Sequence, residues 1–223
     1  MMLNTLLLSL LLILPSFHPS TLLSPFHPFT LDQPCPKHGS AVQQRAKDLN
    51  VKKNRTDVPA PSQIKKSVTF ETLMTATEKP RTFKEGDAVS IVGYVVEVRI
   101  GAIETCNCKA TDPWKRDSHI EMVTDLMDAG NKEKRLVVEV TPHFREMAKA
   151  AGLDWSQDGM KQEFEGRWVR VTGWAFYDAM HDDESAGSGN EHIWRGTPWE
   201  VHPVTSIELV APPAEAIKRI VGN

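Results

Sequence analysis

Two stretches of this 223-residue chain are rich in residues that can bind a metal or orient a ligand. The first stretch, Gly101 to Ser118, carries Cys106 and Cys108 and is followed directly by His119. Thiolate and imidazole groups are good ligands for zinc and similar ions, and two loops together can complete a tetrahedral set. Cys106, Cys108 and His119 are therefore a candidate metal site, with zinc as the candidate ion.

The second stretch, Asp178 to Pro198, combines acidic, histidine and aromatic residues: His181, Asp182, Asp183, Glu184, His192 and Trp194. Neighbouring carboxylates can hold a hard cation, although an acidic run beside a Ser- and Gly-rich segment is more often a solvated loop. The chain has no Ser-His-Asp order, phosphate-binding glycine loop or HExxH helix. The sequence therefore gives no support for hydrolytic or nucleotide chemistry and predicts no catalytic residue.

The cysteines allow a second interpretation, because three is an odd number and a C-x-C pair is less diagnostic of metal than C-x-x-C. In an oxidising compartment, one disulfide accounts for two of them. Cys35 could pair with one of the two loop cysteines, or Cys106 could pair with Cys108. These alternatives remain open beside the metal site.

Aromatic and histidine side chains extend the candidate ligand-binding set. Aromatic rings can stack bases or sugars, at about 1–3 kcal/mol per base. Trp168 and Trp174, at the two ends of one strand, are better explained as core residues. The predicted ligand-binding residues are Tyr94, Trp114, His119, His181, His192, Trp194, Trp199 and His202.

Five strands are expected to position these residues. Apolar, alternating or β-branched segments predict strands over residues 87–100, 119–123, 135–140, 168–174 and 204–210. Gly93 and Gly173 interrupt the first and fourth, and a glycine inside a strand usually marks a bulge or bend. Pro203 is expected at the start of the last strand, where its missing N–H is tolerated.

One helix is expected between the third and fourth strands. Thr141 is a good N-cap, Pro142 suits the first helical position, and Gly152 is a typical end. The order of elements predicts a mainly β fold: a five-stranded, OB-fold-like Greek-key barrel with one helix, preceded by a disordered leader. In such a barrel the loop between strands 1 and 2 and the loop between strands 4 and 5 flank the ligand-binding face.

Composition divides the chain into four parts. Residues 1–30 form a signal-like apolar segment and Pro-rich leader, residues 31–80 a basic, Pro-containing linker, residues 81–211 the barrel, and residues 212–223 a C-terminal tail. The apolar run of about a dozen residues is too short for a spanning helix and fits a secretory signal. The protein is expected to be periplasmic or extracellular, with contact to the membrane only if the N-terminal segment is left uncleaved.

Charge is distributed unevenly along the chain. Residues 81–210 hold 15 Lys+Arg against 23 Asp+Glu, a net charge of −8. Nucleic-acid-binding proteins usually present a basic patch, because neutralising phosphates supplies most of their non-specific affinity. The acidic barrel therefore disfavours an oligonucleotide as the partner.

The segment from about Phe83 to Val210 resembles OB-fold domains through Gly93, Gly173, the mid-chain helix and the strand order. The chain is also similar to a group of small exported bacterial proteins of uncharacterised function. That resemblance runs through Lys53-Asn54-Arg55-Thr56, Glu104-Thr105-Cys106-Asn107-Cys108, Asp117-Ser118-His119-Ile120-Glu121 and Trp199-Glu200-Val201-His202-Pro203-Val204. It implies an architecture and export, with no reaction attached.

These observations favour an exported, non-enzymatic binding module whose ligand is an oligonucleotide, a glycan or a protein segment. The first alternative is a metal-dependent enzyme with a Cys/His site on the same two loops. The second is a structural component of the cell envelope that uses the barrel for protein contacts.

Overall fold

The computed structural model describes residues 34–221, in which five strands close into one barrel. The strands are β1 (Ala88–Ile100), β2 (Ser118–Val123), β3 (Leu136–Val140), β4 (Trp168–Tyr177) and β5 (Trp199–Leu209). They neighbour one another in the order β1-β2-β3-β5-β4, with β4 returning to β1. The pair β3–β5 is parallel and the others are antiparallel. The predicted mainly β, OB-fold-like barrel is confirmed, while the signal-like segment and leader lie outside the described residues.

Apolar side chains at alternate positions of the strands form the hydrophobic core inside the barrel. In β2 and β3, Ile120, Met122, Leu136 and Val138 face inward and are fully buried. Successive side chains of a strand point to opposite faces, so the residues between them lie on the outer face of the barrel. That outer face carries the polar residues of the candidate site.

Both strand glycines are required by close packing. A Cβ at Gly173 would lie 2.4 Å from the carbonyl oxygen of Pro203, and the β4–β5 register shifts on both sides of Gly173. The bulge predicted there is confirmed. A Cβ at Gly93 would lie 2.8 Å from Cε of Met122, but the register shift of β1 against β2 comes later, between Val95 and Glu97.

The last strand begins five residues earlier than predicted. Val201 pairs with Val138 of β3 and with Ala175 of β4, so the segment from Trp199 belongs to the barrel. Pro203 is therefore inside β5, where it lies next to the register shift. A proline is tolerated at such an irregularity because no ladder hydrogen bond is required of it.

Two helices, rather than one, connect β3 to β4. The first, α3 (Pro142–Ala150), begins and ends as predicted, with Gly152 in the left-handed region after it. The second, α4 (Gln157–Phe164), was not predicted. The Ser156 hydroxyl accepts a hydrogen bond from the N–H of Gly159, and Met160 and Phe164 are buried in the core.

Residues 35–80, assigned to a linker from composition, pack on the barrel. They contain α1 (Gln44–Lys53) and α2 (Phe70–Thr75), and one compact unit begins at Cys35. Phe70 and Leu73 of α2 belong to the hydrophobic core. The tail forms α5 (Ala214–Val221). No helix within residues 34–221 is long and apolar enough to cross a membrane.

Candidate functional site

The two loops that carry the candidate residues meet beside the outer face of β2. Residues 101–117 join β1 to β2, and residues 178–198 join β4 to β5. Between them lies a groove of about 480 Å³. Both loops contribute to its lining, together with β1, β2 and the segment before β3: Glu97, Arg99, Ala102, Glu104, His119, Glu121, Lys132, Arg135, His181, Glu184 and Trp194.

Trp194 ties the second loop to the barrel. The Trp194 ring lies nearly parallel to the His119 ring, with the ring centres 6.1 Å apart. The guanidinium carbon of Arg99 lies 4.6 Å from the centre of the Trp194 ring. The indole N–H donates to the carboxylate of Glu184, which also binds Nδ1 of His181 at 2.7 Å. These contacts fix one wall of the groove.

Glu121 links two arginines of the groove. Its carboxylate lies 2.6 Å from Nε of Arg99 and 2.7 Å from Nη1 of Arg135. Burial would raise the pKa of Glu121, but the hydrogen bonds from these guanidinium groups outweigh it and lower the pKa. Glu121 is therefore ionised near neutral pH and holds both arginines in place.

A second set of charged side chains lies on the same outer face, largely shielded from solvent by α1 and the two loops. We call it the charged cluster; its members are Lys53, Glu104, Asp117, Glu139, Asp178, Arg195, Glu200 and His202. Glu104 is partly exposed, and each of the other side chains is at most 6% exposed. Buried charges of this kind are stable only when paired or coordinated.

Strand register brings the core of the charged cluster together. Val138 pairs with Val201, so Glu139 of β3 lies beside His202 of β5. His119 of β2 pairs with Glu139, and Asp117, two residues before His119, lies on the same face. Val138 and Val201 point into the core. The side chains of Glu139 and His202 therefore emerge side by side on the opposite face.

Ion pairs connect most of the charged cluster. Nζ of Lys53 lies 3.0 Å from Glu104 and 2.6 Å from Asp178. Nη2 of Arg195 donates to Oε1 of Glu200 at 2.6 Å. Although burial alone would lower the pKa of Lys53, the two carboxylates raise it well above its ordinary value. Lys53 is therefore cationic throughout the physiological range.

His202 is surrounded by carboxylates. Its Nδ1 lies 3.2 Å from Oε2 of Glu139 and 3.3 Å from Oε2 of Glu200, and its Nε2 lies 3.9 Å from Asp117. Burial would lower the pKa of His202, but these carboxylates, Glu139 foremost, raise it to about 10. Burial raises the pKa of Asp117 to about 6 despite the attraction of His202.

Glu200 and Glu139 are held ionised by their neighbours. Burial and the neighbouring Glu139 would raise the pKa of Glu200, but Arg195 and His202 bring it down to about 2. Burial would likewise raise the pKa of Glu139, whereas His119 and His202 lower it well below its ordinary value. Burial lowers the pKa of His119 despite the attraction of Glu139.

Several polar atoms of this region lack a hydrogen bond within the described residues. They are Oδ1 of Asp117, both ring nitrogens of His119 and Nε2 of His202. Oε2 of Glu139 and Oδ2 of Asp178 also lack an aligned hydrogen bond, although they lie 3.2 Å from Nδ1 of His202 and 2.6 Å from Nζ of Lys53. Nε2 of His119 lies 3.0 Å from Oε1 of Glu139 without the alignment of a hydrogen bond. Native proteins leave few such atoms unsatisfied, and each calls for a physical explanation.

The cysteines do not form the predicted metal site. Cys35 and Cys108 are joined by a disulfide, one of the pairings left open by the sequence, so Cys108 has no thiolate to offer. Cys106 is a free, buried thiol, 3.4 Å from Glu104 and 3.7 Å from Asp117. Burial and both carboxylates raise its pKa, which keeps the thiol protonated.

Four of the eight predicted ligand-binding residues lie at the groove or in the charged cluster. His119, His181 and Trp194 line the groove, and His202 belongs to the charged cluster. Trp199 is 1% exposed in the core and donates its indole N–H to the carbonyl of Thr77, so it cannot stack on a ligand.

The other three predicted residues are not part of the groove lining. Tyr94 packs edge-to-face on Trp168. Trp114 lies against α3, where its indole N–H donates to Glu146. His192 is exposed in the second loop.

Sequence reasoning missed Lys53, Asp117, Glu139, Arg195 and Glu200. A signal was present for two of them: Glu139 interrupts the run Leu136-Val137-Val138-Glu139-Val140, and Glu200 lies between Trp199 and Val201. A carboxylate within a β-branched run indicates a polar contact on the outer face. Lys53 carried no such signal, because it lies in a basic segment typical of linkers.

No protein-family model matches the chain, and no curated protein matches it in sequence. The Cys35–Cys108 disulfide is compatible with an exported protein. Function is therefore inferred from the chemistry of the groove and of the charged cluster beside it.

Proposed function

We propose that this protein is an exported binding module that holds a polar ligand in the groove between the β1–β2 and β4–β5 loops. The observation that carries the proposal is the lining, to which Ala102 and Glu104 of one loop and His181, Glu184 and Trp194 of the other all contribute. OB-fold-like barrels bind ligands between these two loops.

The charges of the groove favour a neutral, hydroxyl-rich ligand such as a glycan. Three cationic residues, Arg99, Lys132 and Arg135, stand beside four carboxylates: Glu97, Glu104, Glu121 and Glu184. Hydroxyl groups both donate and accept hydrogen bonds, so they can use side chains of either sign. A polyphosphate would meet the carboxylates at close range, and this disfavours an oligonucleotide.

The proposal is tested by titrating the purified protein, by calorimetry, with a panel of oligosaccharides, with mixed-sequence single-stranded DNA and with peptides. We expect saturable binding of a glycan that changes little between low and high salt. Trp194→Ala and Lys132→Ala should each weaken binding about tenfold, the effect of losing one good contact of about 1.4 kcal/mol.

Lys161→Ala is the matched control, because Lys161 lies on α4 and its side chain is 54% exposed. It should bind like the wild type. Binding of no probe, or glycan binding that neither groove variant weakens, would contradict the proposal. If only DNA binds, and its binding weakens with salt, the ligand is a nucleic acid rather than a glycan.

Export is part of the same proposal, since a disulfide persists in an oxidising compartment. Fusing residues 1–40 to alkaline phosphatase, which is active only outside the cytoplasm, tests it in a bacterial host. We expect an active fusion, and an inactive but stably expressed fusion would contradict export.

A further inference from the structure

Three members of the charged cluster, Asp117, Glu139 and His202, converge on one point. One potential ligand atom of each lies within 4.8 Å of those of the other two, and each residue is at most 2% exposed. We propose that this point is a binding site for one divalent transition-metal ion, with zinc as the ion that fits best. This site is independent of the ligand proposed for the groove, and it is not the Cys/His site predicted from the sequence.

Buried atoms without a hydrogen bond on all three residues support the proposal. Within residues 34–221 they are Oδ1 of Asp117, Nε2 of His202 and Oε2 of Glu139, the last of which lies 3.2 Å from Nδ1 of His202. Native proteins leave few buried polar atoms without a hydrogen-bond partner. A cation in their midst would satisfy all three residues at once.

The spacing is somewhat wider than that of a filled coordination shell. Ligand atoms about 2.1 Å from one zinc ion lie roughly 3.0–3.4 Å from each other. Nε2 of His202 is 3.9 Å from Oδ2 of Asp117, and the three potential ligand atoms lie within 4.8 Å of one another. Binding an ion therefore requires side-chain rotations that shorten these distances by about 1–2 Å.

His202 has the surroundings of a metal-binding imidazole. Its Nδ1 forms a hydrogen bond with the carboxylate of Glu200, and that carboxylate also accepts a hydrogen bond from Arg195. Metal-binding histidines usually donate their second ring N–H to a carboxylate, which fixes the tautomer and the ring orientation. The arrangement leaves Nε2 of His202 as the coordinating atom.

The charge balance also favours a cation. The charged cluster contains five carboxylates but two permanent cations, Lys53 and Arg195. With a neutral His202 this leaves an excess of three negative charges in a largely buried region, and a divalent ion reduces the excess to one. The competing occupant is a proton, which would make His202 an imidazolium bound to Glu139 and Glu200.

The ligand set indicates which ions fit. One imidazole and two carboxylates suit zinc or manganese, whereas calcium takes oxygen ligands and a larger shell. An ion can approach from two sides of the charged cluster. His202 borders a cavity of about 280 Å³ that is also lined by Trp174 and Phe176, and Glu104 borders the groove.

The test uses the full chain with its disulfide intact, stripped of metal by a chelator and titrated with Zn²⁺, Mn²⁺ and Ca²⁺ by calorimetry. We expect one equivalent of Zn²⁺, weaker Mn²⁺ and no Ca²⁺ binding. Asp117→Asn and Glu139→Gln keep the side-chain shape but remove a charged ligand. Each should weaken zinc binding by about 10–100-fold or more, since a loss of that size follows even from changing a residue that only hydrogen-bonds a metal ligand.

Glu163→Gln is the control, because Glu163 is an exposed carboxylate of α4, outside both the groove and the charged cluster. It should leave zinc affinity unchanged. Less than half an equivalent of zinc in the wild type, or equal weakening in Glu163→Gln, would overturn the proposal and favour the protonated His202.

A spectroscopic measurement on the wild type covers the case in which both variants fail to fold. X-ray absorption at the zinc edge should show imidazole scattering and oxygen neighbours without sulfur. A sulfur neighbour would place the metal on Cys106, and a shell of oxygen alone would indicate surface binding. Either result would refute the proposed site.

Discussion

At the residue scale, Lys53 is the cation on which two carboxylates of the charged cluster depend. Its side chain is 6% exposed and contacts both Glu104 and Asp178. Lys53→Met keeps the length and removes the charge, which leaves Asp178 buried and unpaired. Breaking a buried pair in this way costs about 3–5 kcal/mol, so the free energy of unfolding in urea should fall by that amount.

The neighbouring lysine provides the control. Lys52 pairs with Glu85 at 2.7 Å, but both side chains are substantially exposed. Lys52→Met should change the free energy of unfolding by less than about 1 kcal/mol, as is usual for surface pairs. Equal effects of the two substitutions would show that Lys53 is not the cation that stabilises the charged cluster.

Glu121 should make the free energy of unfolding depend on pH in the acid range. Its pKa is lowered in the folded protein by hydrogen bonds from Arg99 and Arg135, which outweigh burial. A carboxylate with a depressed folded pKa stabilises the protein above its unfolded value near 4.5, and that stability is lost as the pH falls further.

Glu121→Gln should therefore lower the free energy of unfolding by about 1.5–3 kcal/mol at pH 7, the range for hydrogen bonds to charged groups. The difference from the wild type should shrink as the pH falls below 4.5. Chemical denaturation at a series of pH values measures it, with the exposed Glu97→Gln as control. A difference that stays constant down to pH 3 would contradict the assignment.

At the element scale, the barrel closes tightly at Gly173, where a side chain would collide with the Pro203 carbonyl. Gly173→Ala should lower the free energy of unfolding by about 1–3 kcal/mol, because overpacking forces the strands apart. Gly130→Ala is the control, since a Cβ there meets nothing within 4 Å. Equal thermal unfolding of the two variants would show that the β4–β5 contact is looser than described.

The elements that could be predicted from sequence are those with a strong local pattern. The alternating residues of β1 and the Thr141-Pro142 start of α3 placed both elements correctly. The helix α4 was missed because it is short and contains Gly159, which lowers helix propensity. The start of β5 was missed because Pro203 is a strand breaker unless a tertiary irregularity accommodates it.

The site was less predictable than the strands, because most of its contacts join residues that are far apart in the sequence. The two loops could be recognised because the strand order places them on one side of a barrel. The charged cluster could not, because Lys53, Asp117 and Glu139 become neighbours only through α1 packing and strand register. Lys, Asp and Glu are usually exposed, so the sequence alone does not indicate that these three side chains are buried.

At the scale of the whole molecule, the barrel depends on residues before its first strand. Arg55 stacks on Trp174, with 3.2 Å between the guanidinium carbon and the ring centre, and Phe70 and Leu73 fill the core. A chain truncated to begin at Arg81 should not unfold cooperatively, whereas a chain beginning at Cys35 should. Thermal unfolding followed by near-UV circular dichroism distinguishes them, and a fully cooperative transition of the shorter chain would contradict this dependence.

The central proposal is that Asp117, Glu139 and His202 bind one divalent metal ion. The most direct measurement is an anomalous difference map, at the zinc edge, from crystals of the full chain grown with Zn²⁺. One dominant peak is expected within about 2.0–2.2 Å of a carboxylate oxygen of Asp117, a carboxylate oxygen of Glu139 and Nε2 of His202. A well-ordered charged cluster without such a peak, or a dominant peak on Cys106 or on surface residues, would contradict it.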